Sequence, residues 1–122
     1  MVITEYYARI DGREPLTGLE LVEPDVEFLI ALPGNEMTGK GQDALRDYLE
    51  GRPPVGRKHN VVRGCSDGDL EMVYGYVTEG NGKGTGSFSG VALLSPAKKV
   101  ARYQAFFHPD FHMFALPEGE NA

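Results

Sequence analysis

The chain of 122 residues has one cysteine, fewer basic than acidic residues and no long apolar run. A lone cysteine, Cys65, excludes an internal disulfide, so packing alone must hold the fold. Its place in an apolar run predicts an inert core thiol. No stretch approaches the roughly 20 apolar residues that a membrane-crossing helix needs. No basic segment followed by an apolar stretch opens the sequence, so we expect a cytoplasmic protein without a signal peptide and without a membrane partner.

The charge balance narrows the choice of partners. Lysine and arginine number 12 against 18 aspartates and glutamates, which gives a formal net charge of -6. Nucleic acids and anionic membranes attract basic surfaces, so this balance argues against both as main partners. A local group of basic residues is interpreted as a solvated rim rather than a phosphate site; its members are Arg52, Arg57, Lys58 and Arg63.

Apolar residues at helical spacing predict three short helices. The first has its apolar residues, Ile3 to Ile10, at i, i+3, i+4 and i+7, and it ends at Asp11-Gly12. The second begins at Pro15, because proline fits the first turn of a helix, and Glu23-Pro24-Asp25 breaks it. The third spans Gly41 to Glu50 and ends before a pair of prolines.

Alternating apolar and polar residues predict strands. One strand runs from Val26 to Leu32 and ends at Pro33-Gly34-Asn35. Three or four more follow after Lys58, joined by short links rich in turn residues, over roughly these ranges: His59 to Cys65, Leu70 to Glu79, Thr85 to Leu94 and Lys99 to His108. Such strands form an antiparallel meander, and helices placed ahead of it predict an α+β fold in a single domain, residues 1–122. The apolar tail from Pro109 to Ala122 is expected to fold back along the body or across a partner subunit.

Three stretches carry a resemblance to a known family. They are Tyr6 to Gly12, a helix ending in Asp-Gly; Pro24 to Tyr48, with its strand, Pro33-Gly34 loop and Gly-rich helix start; and Arg102 to Pro109, a last strand. In this order they resemble the nuclear transport factor 2-like superfamily, which includes SnoaL-like polyketide cyclases and ketosteroid isomerases. The resemblance implies a cone-shaped fold, with two or three N-terminal helices packed on a curved, mostly antiparallel sheet that encloses a pocket. It also implies a homodimer paired through the outer sheet face.

One face of each strand would line that pocket. In the strand of residues 70–79 we favour the tyrosines over Val73 and Val77 as inward-facing residues. The predicted ligand contacts are Phe28, Ile30, Leu32, Tyr74, Tyr76, Phe88, Gly90, Tyr103 and Phe107. This apolar and aromatic lining suits a small hydrophobic molecule. The alternative is that the same side chains simply fill the core.

Steroid isomerisation needs parts that this sequence lacks. Ketosteroid isomerases use a carboxylate base, a tyrosine donor and a second acid donor. Tyr6 stands where the tyrosine of the first helix belongs. Leu32 and Gly90 occupy the positions of the two acids, and a hydrocarbon cannot take a proton from carbon. The resemblance therefore does not extend to that mechanism.

His59 is the strongest candidate for a base. It opens a strand at a place where many members of the superfamily carry a histidine, and imidazole titrates near neutral pH. With Tyr6 as donor, it would support an isomerase, cyclase or dehydratase that acts by proton transfer. Two alternatives stay open: His59 only makes a hydrogen bond at a strand start, and the domain is a non-catalytic module for ligand binding or dimerisation.

No metal or cofactor is predicted. His108 and His112 are four residues apart, as helical metal ligands are, but Pro109 disrupts that geometry. The glycine-rich run from Gly80 to Gly86 lies between two strands rather than before a helix, so it is interpreted as a hairpin loop and not as a phosphate loop.

Overall fold

Six strands and three short helices make up the chain, and a computed structural model describes residues 1–119. The helices are α1 (Val2–Ile10), a 3₁₀ helix (Pro15–Leu21) and α2 (Gln42–Glu50). The strands are β1 (Val22–Leu32), β2 (Asn35–Lys40), β3 (Lys58–Asp67), β4 (Leu70–Thr78), β5 (Gly84–Leu94) and β6 (Val100–His108). They form one sheet in the order β2-β1-β6-β5-β4-β3.

The predicted α+β cone is confirmed. The helices pack on one side of a curved sheet that does not close. Neighbouring strands are antiparallel, except that β1 and β6 run parallel. The parallel pair arises because the chain passes through α2 and the β3–β6 meander before it returns beside β1. The open end of the cone lies at the carboxyl ends of β1 and β6.

Helix α1 supplies much of the core. Its four apolar side chains, which the spacing placed on one face, are all buried: Ile3, Tyr6, Tyr7 and Ile10. They pack against residues from every neighbouring strand of the inner face, including Val73 of β4, Phe88 of β5 and Tyr103 of β6. A helix of this length is marginal in water, so tertiary packing of this face stabilises it.

The region around β1 differs from the prediction in two ways. Strand β1 begins at Val22 and passes through Pro24, where its register against β6 shifts between Val22 and Glu27. Proline is tolerated at such an irregularity because no ladder hydrogen bond is required of it. Strand β2 was missed, because this edge strand is mostly exposed and lacks an alternating apolar pattern. Gly34, with φ +73°, makes the tight turn that joins the two strands.

The tail folds back over the outer face of the sheet, which is the first of the two predicted alternatives. The Met113 N–H donates to the Tyr74 hydroxyl at 2.8 Å, and the Gly84 N–H donates to the Pro117 carbonyl at 2.9 Å. The Arg63 guanidinium lies 5.0 Å from the centre of the Phe114 ring. The last three residues of the predicted tail lie outside the described range.

Cys65 is exposed, and its prediction as a core residue was wrong. Strand β3 is the far edge of the sheet, and beyond Val61 most of its side chains face solvent. Across residues 1–119, none of the helices has the length and apolar character needed to cross a membrane.

The start of α1 depends on a buried carboxylate, and this generates a prediction. Glu71 of β4 is 6% exposed and accepts hydrogen bonds from the N–H groups of Val2 at 3.1 Å and Ile3 at 2.8 Å. We expect Glu71→Ala to lower the free energy of unfolding by about 1–3 kcal/mol, because two N–H donors lose their acceptor. Thermal denaturation would then show a midpoint several degrees lower. Glu71→Gln is the matched control and should lose less, since its amide oxygen still accepts. An unchanged midpoint in Glu71→Ala would contradict this role.

Candidate functional site

A cavity of about 380 Å³ opens at the end of the cone between α1, α2 and the inner sheet face. Its deep wall consists of buried side chains: Tyr6, Ile10, Ile30, Val77, Phe88 and Tyr103. Its mouth consists of half-buried or exposed ones: Leu32, Pro33, Tyr48, Arg57, Glu79, Thr85, Phe106 and Phe107. The volume lies at the small end of the range for ligand sites, and the lining is mainly apolar with a few polar groups.

His59 lines this cavity and is held by Asp11. Nδ1 of the imidazole lies 3.0 Å from Oδ2 and 3.2 Å from Oδ1 of Asp11, and the His59 backbone N–H donates to Oδ2 at 2.6 Å. An ionised carboxylate only accepts hydrogen bonds, so Nδ1 carries the proton of the neutral ring. Nε2 is then the basic nitrogen, and it makes no hydrogen bond within residues 1–119. The contact fixes both the tautomer and the orientation of the ring.

Arg52 lies on the other side of Asp11. Its Nη1 is 3.6 Å from Asp11 Oδ1, and its Nη2 donates to the Ile10 carbonyl at 2.6 Å. The side chains of Asp11 and Arg52 are 8% and 12% exposed, so their charges interact in a largely desolvated place. Arg52 thus compensates the charge of the carboxylate that orients His59.

A layer of aromatic rings surrounds the imidazole. The Tyr7 ring stacks on His59 with 4.4 Å between ring centres, and Phe88 meets it edge-on at 4.9 Å. The Tyr7 and Tyr103 hydroxyl oxygens are 2.6 Å apart and share a hydrogen bond. The Tyr6 ring meets Tyr103 edge-on at 5.5 Å. This packing leaves His59 little freedom to rotate.

The three buried tyrosines stay protonated. Burial, and after it the neighbouring Tyr7, raises the pKa of Tyr6 above its ordinary value. Burial likewise raises the pKa of Tyr7, although the hydrogen bond from Tyr103 opposes the shift. For Tyr103, burial and then Tyr7 raise the pKa. Each hydroxyl is therefore a neutral donor, and that of Tyr6, which faces the cavity, has no hydrogen-bond partner in the described part of the chain.

No protein-family model and no curated protein matches the sequence. Solved structures match the fold. A proposed SnoaL-like isomerase from Agrobacterium tumefaciens superposes with a TM-score of 0.74 at 12% identity, over 88% of this chain and 94% of that one. TerC, co-crystallised with polyporic acid, gives 0.71 at 20% identity over 88% of each chain. A proposed ketosteroid isomerase from Kribbella flavida gives 0.67 at 20% identity over 93% of this chain and 80% of that one.

The chain has the α+β cone fold of these structures. At these identities the likeness establishes the architecture, and the chemistry has to be argued from the side chains.

The cavity of this cone-shaped fold gathers most of the predicted site residues. Seven of the predicted residues line it: Tyr6, Ile30, Leu32, His59, Phe88, Tyr103 and Phe107. Phe28 faces inward as expected but is a core residue beyond the cavity, in contact with Gly39 of β2 and the cleft beside it. Gly90 also faces inward, yet the Tyr7 hydroxyl fills the space above it.

The prediction that Tyr74 and Tyr76 line the pocket was wrong. Val73 and Val77 are the buried residues of β4, and the tyrosines lie on the outer face. Val73 is paired with Gly90, and Gly75 with Phe88, so these residues share the inner face. The tyrosines of α1 already occupy the space there, and a Cβ on Gly75 would clash with the Asn60 carbonyl. At positions 73, 75 and 77 the inner face of β4 therefore has no room for a tyrosine.

Several site residues were not predicted. Asp11 was interpreted only as part of a helix stop, and Arg52 and Arg57 as parts of a solvated rim. The two arginines line the cavity instead, because the loop after α2 crosses its mouth. The available signal was the position of Asp11, directly after the helix that carries Tyr6. No cluster of three or more potential metal ligands is found among residues 1–119.

The contact between Gly90 and Tyr7 generates a prediction. A Cβ at Gly90 would meet the Tyr7 hydroxyl at clash distance, whereas its next neighbours, Ile3 Cδ1 and Tyr7 Cζ, lie at 3.3 Å. Gly90→Ala should therefore displace the hydroxyl from Tyr103 and cost about 1–3 kcal/mol of the free energy of unfolding. Adding Tyr7→Phe removes the clashing atom, so the double variant should be less destabilised than the sum of the single variants. A urea double-mutant cycle measures this coupling, and strict additivity would contradict the packing described.

Proposed function

We propose that this chain binds a small hydrophobic molecule in the cavity and catalyses a proton transfer on it, as an isomerase, cyclase or dehydratase. The observation that carries the proposal is the geometry of His59. Its Nδ1 is held by Asp11, which leaves Nε2 as the basic nitrogen of a ring that lines an apolar cavity together with Tyr6. A base, a group that orients it and a neutral donor are the parts that proton abstraction next to a carbonyl requires.

The reaction is written with His59 as base and Tyr6 as donor. Nε2 takes the proton from a carbon beside a ligand carbonyl, and the C–H electron pair moves into the carbonyl to form an enolate. Tyr6 donates a hydrogen bond to the enolate oxygen, while Asp11 stabilises the imidazolium. Return of the proton to another carbon gives isomerisation. Attack of the enolate carbon on a second carbonyl gives ring closure, and the alkoxide formed takes the proton back from the His59 imidazolium. Loss of a β-hydroxyl that takes this proton and leaves as water gives dehydration.

The apolar residues at Leu32 and Gly90 support this base over a carboxylate. Leu32 lies at the cavity mouth and Gly90 beneath Tyr7, so neither position offers an acid. Asp11 is the buried acid near the cavity, and it is engaged with His59 and Arg52. The aromatic wall supports a flat ligand, in keeping with the polyporic acid bound by TerC.

A second candidate is a non-catalytic binding protein of the same fold. The filled space above Gly90 favours it, because an isomerase would use that position for a donor. The two candidates differ in one observable: a binding protein holds its ligand without exchanging its carbon-bound protons.

Variants of His59 and Tyr6 test the proposal. A thermal-shift screen against phenolic polyketides, steroids and terpenoids first identifies ligands, since one present at about 100 Kd stabilises the fold by about 2.7 kcal/mol. Each bound ketone is then incubated in deuterium oxide, and its deuterium uptake is followed by mass spectrometry. His59→Ala and His59→Gln should slow uptake by about 10²- to 10⁴-fold, and Tyr6→Phe by about 10²-fold, with the fold intact.

His108→Ala is the matched control, because His108 is exposed on the outer face and should leave uptake unchanged. Wild-type uptake rates in folded His59→Ala and His59→Gln would refute the base. Ligands that bind tightly without any enzyme-dependent uptake would favour the non-catalytic candidate.

The outer sheet face supports a homodimer. On this face, β6 and the C-terminal tail expose three large apolar residues, with exposed fractions of 43% for Phe106, 66% for Phe111 and 66% for Met113. These residues line one apolar groove on the outer face. A contiguous apolar surface of this kind marks an interaction site, and a two-fold axis would bring the same groove of a second copy against it. The resemblance to proteins that pair through this face supports a second copy as the occupant.

Phe111→Asp should shift the mass measured by light scattering at micromolar concentration from dimer to monomer, because a charge would then be buried against an apolar partner. Leu16→Asp is the control; Leu16 is 39% exposed but lies on the 3₁₀ helix, away from this groove. A wild-type protein that is monomeric across this range would overturn the proposed dimer.

A further inference from the structure

Two guanidinium groups lie among the apolar residues of the cavity, and only one of them has an ion-pair partner. Arg52 is paired with Asp11, as described above. Arg57 makes neither an ion pair nor a hydrogen bond with any residue in the range 1–119. Glu79 is the acidic residue of the lining, and it lies more than 4.0 Å from the Arg57 guanidinium, outside ion-pair distance. The mouth therefore carries one uncompensated, half-buried cation beside an apolar wall.

The backbone holds Arg57 in this place. The Gly80 N–H donates to the Val55 carbonyl at 2.9 Å, which ties the loop after α2 to the hairpin between β4 and β5. Gly56 has φ +69° and approaches Gly80 so closely that a Cβ would lie 3.0 Å from the Gly80 Cα. Such a turn requires glycine. Arg57 follows directly, two residues before His59, and alternation puts both side chains on the cavity side while Lys58 faces outward.

The surroundings make this cation informative about the ligand. An arginine on a solvated surface needs no partner because water solvates its charge, so its presence says little about a ligand. Arg57 instead borders a mainly apolar cavity in a chain of net charge -6, where most of the surface repels anions. A guanidinium in such a place binds a carboxylate or an ionised enol through two parallel hydrogen bonds.

We infer that the ligand of this cavity is a hydrophobic acid, whose anionic group is bound by Arg57 at the mouth while its apolar body extends toward His59. The inference rests on the proposed function for the cavity and names its substrate class. Arg57 and His59 are separate groups of the same lining, so Arg57 is a binding residue for the anion and His59 acts on another part of the molecule.

The test compares an acid with its ester. Isothermal titration measures Kd for 2-naphthoate, which is ionised at neutral pH, and for methyl 2-naphthoate, which has the same ring system without the charge. Wild-type protein should bind the acid about tenfold or more tightly, and Arg57→Met should abolish this preference while leaving the ester Kd unchanged. Glu79→Gln should lower the Kd for the acid by about two- to fivefold, because it removes from the mouth a negative charge that repels the carboxylate of the ligand.

Two further variants make the outcome specific. Arg13→Met removes one positive charge from an exposed position outside the cavity, and the preference for the acid should survive it. In His59→Ala the preference should also survive, since the imidazole is not the anion site. An acid that binds no more tightly than its ester to wild type, or a preference that persists in Arg57→Met, overturns the inference. The proposed proton transfer is judged separately, by the deuterium uptake of bound ketones.

Discussion

The buried carboxylate of Asp11 is the interaction on which the site depends. It follows α1 directly, accepts two hydrogen bonds from His59 at the start of β3, and faces Arg52 in the loop after α2. The end of α1 is thereby joined to both ends of the loop between α2 and β3. Removal of one partner from such a desolvated set leaves an uncompensated charge, which costs far more than the loss of a surface pair.

The aromatic layer follows from this arrangement. The imidazole held by Asp11 forms a flat surface on which Tyr7 stacks, and the Tyr7 hydroxyl then reaches Tyr103 across the sheet. A ring in that position needs empty space on the strand below, and Gly90 provides it. The glycine at position 90 thus has a structural reason, because the space above β5 is filled by a tyrosine from α1.

Each segment of the fold could be predicted from the sequence to the extent that its apolar and polar residues follow a regular pattern. The spacing of Ile3, Tyr6, Tyr7 and Ile10 identified the buried face of α1, and alternation identified the inner faces of β1, β5 and β6. Strand β2 could not be predicted, because an exposed edge strand has no periodic pattern of apolar residues. In β4 both faces carry apolar side chains, so periodicity alone could not choose between the valines and the tyrosines. The choice is made by α1, whose side chains leave no room for tyrosines at positions 73 to 77.

The candidate site was only partly predictable, for a different physical reason. His59 and Tyr6 could be named because their positions match a family pattern, and both line the cavity. Asp11, Arg52 and Arg57 could not, because each follows a secondary-structure element and its role depends on where loops converge in three dimensions. Charged residues after helix ends are usually solvated, and nothing in their spacing distinguishes those that turn inward.

The hydrogen-bond pattern of the cavity limits what a ligand can be. Tyr7 and Tyr103 satisfy each other, and Asp11 is shared between His59 and Arg52. Within residues 1–119, His59 Nε2 is then an acceptor and the Tyr6 hydroxyl a neutral donor without a partner in the lining, and the buried Arg52 Nη1, which faces Asp11 at 3.6 Å, makes no hydrogen bond. Since an unmatched polar group in an apolar cavity is costly, a ligand that fits must bring an acceptor to Tyr6 and a hydrogen to His59. A carbonyl with an adjacent C–H meets both requirements, and it is also the arrangement from which a proton can be removed.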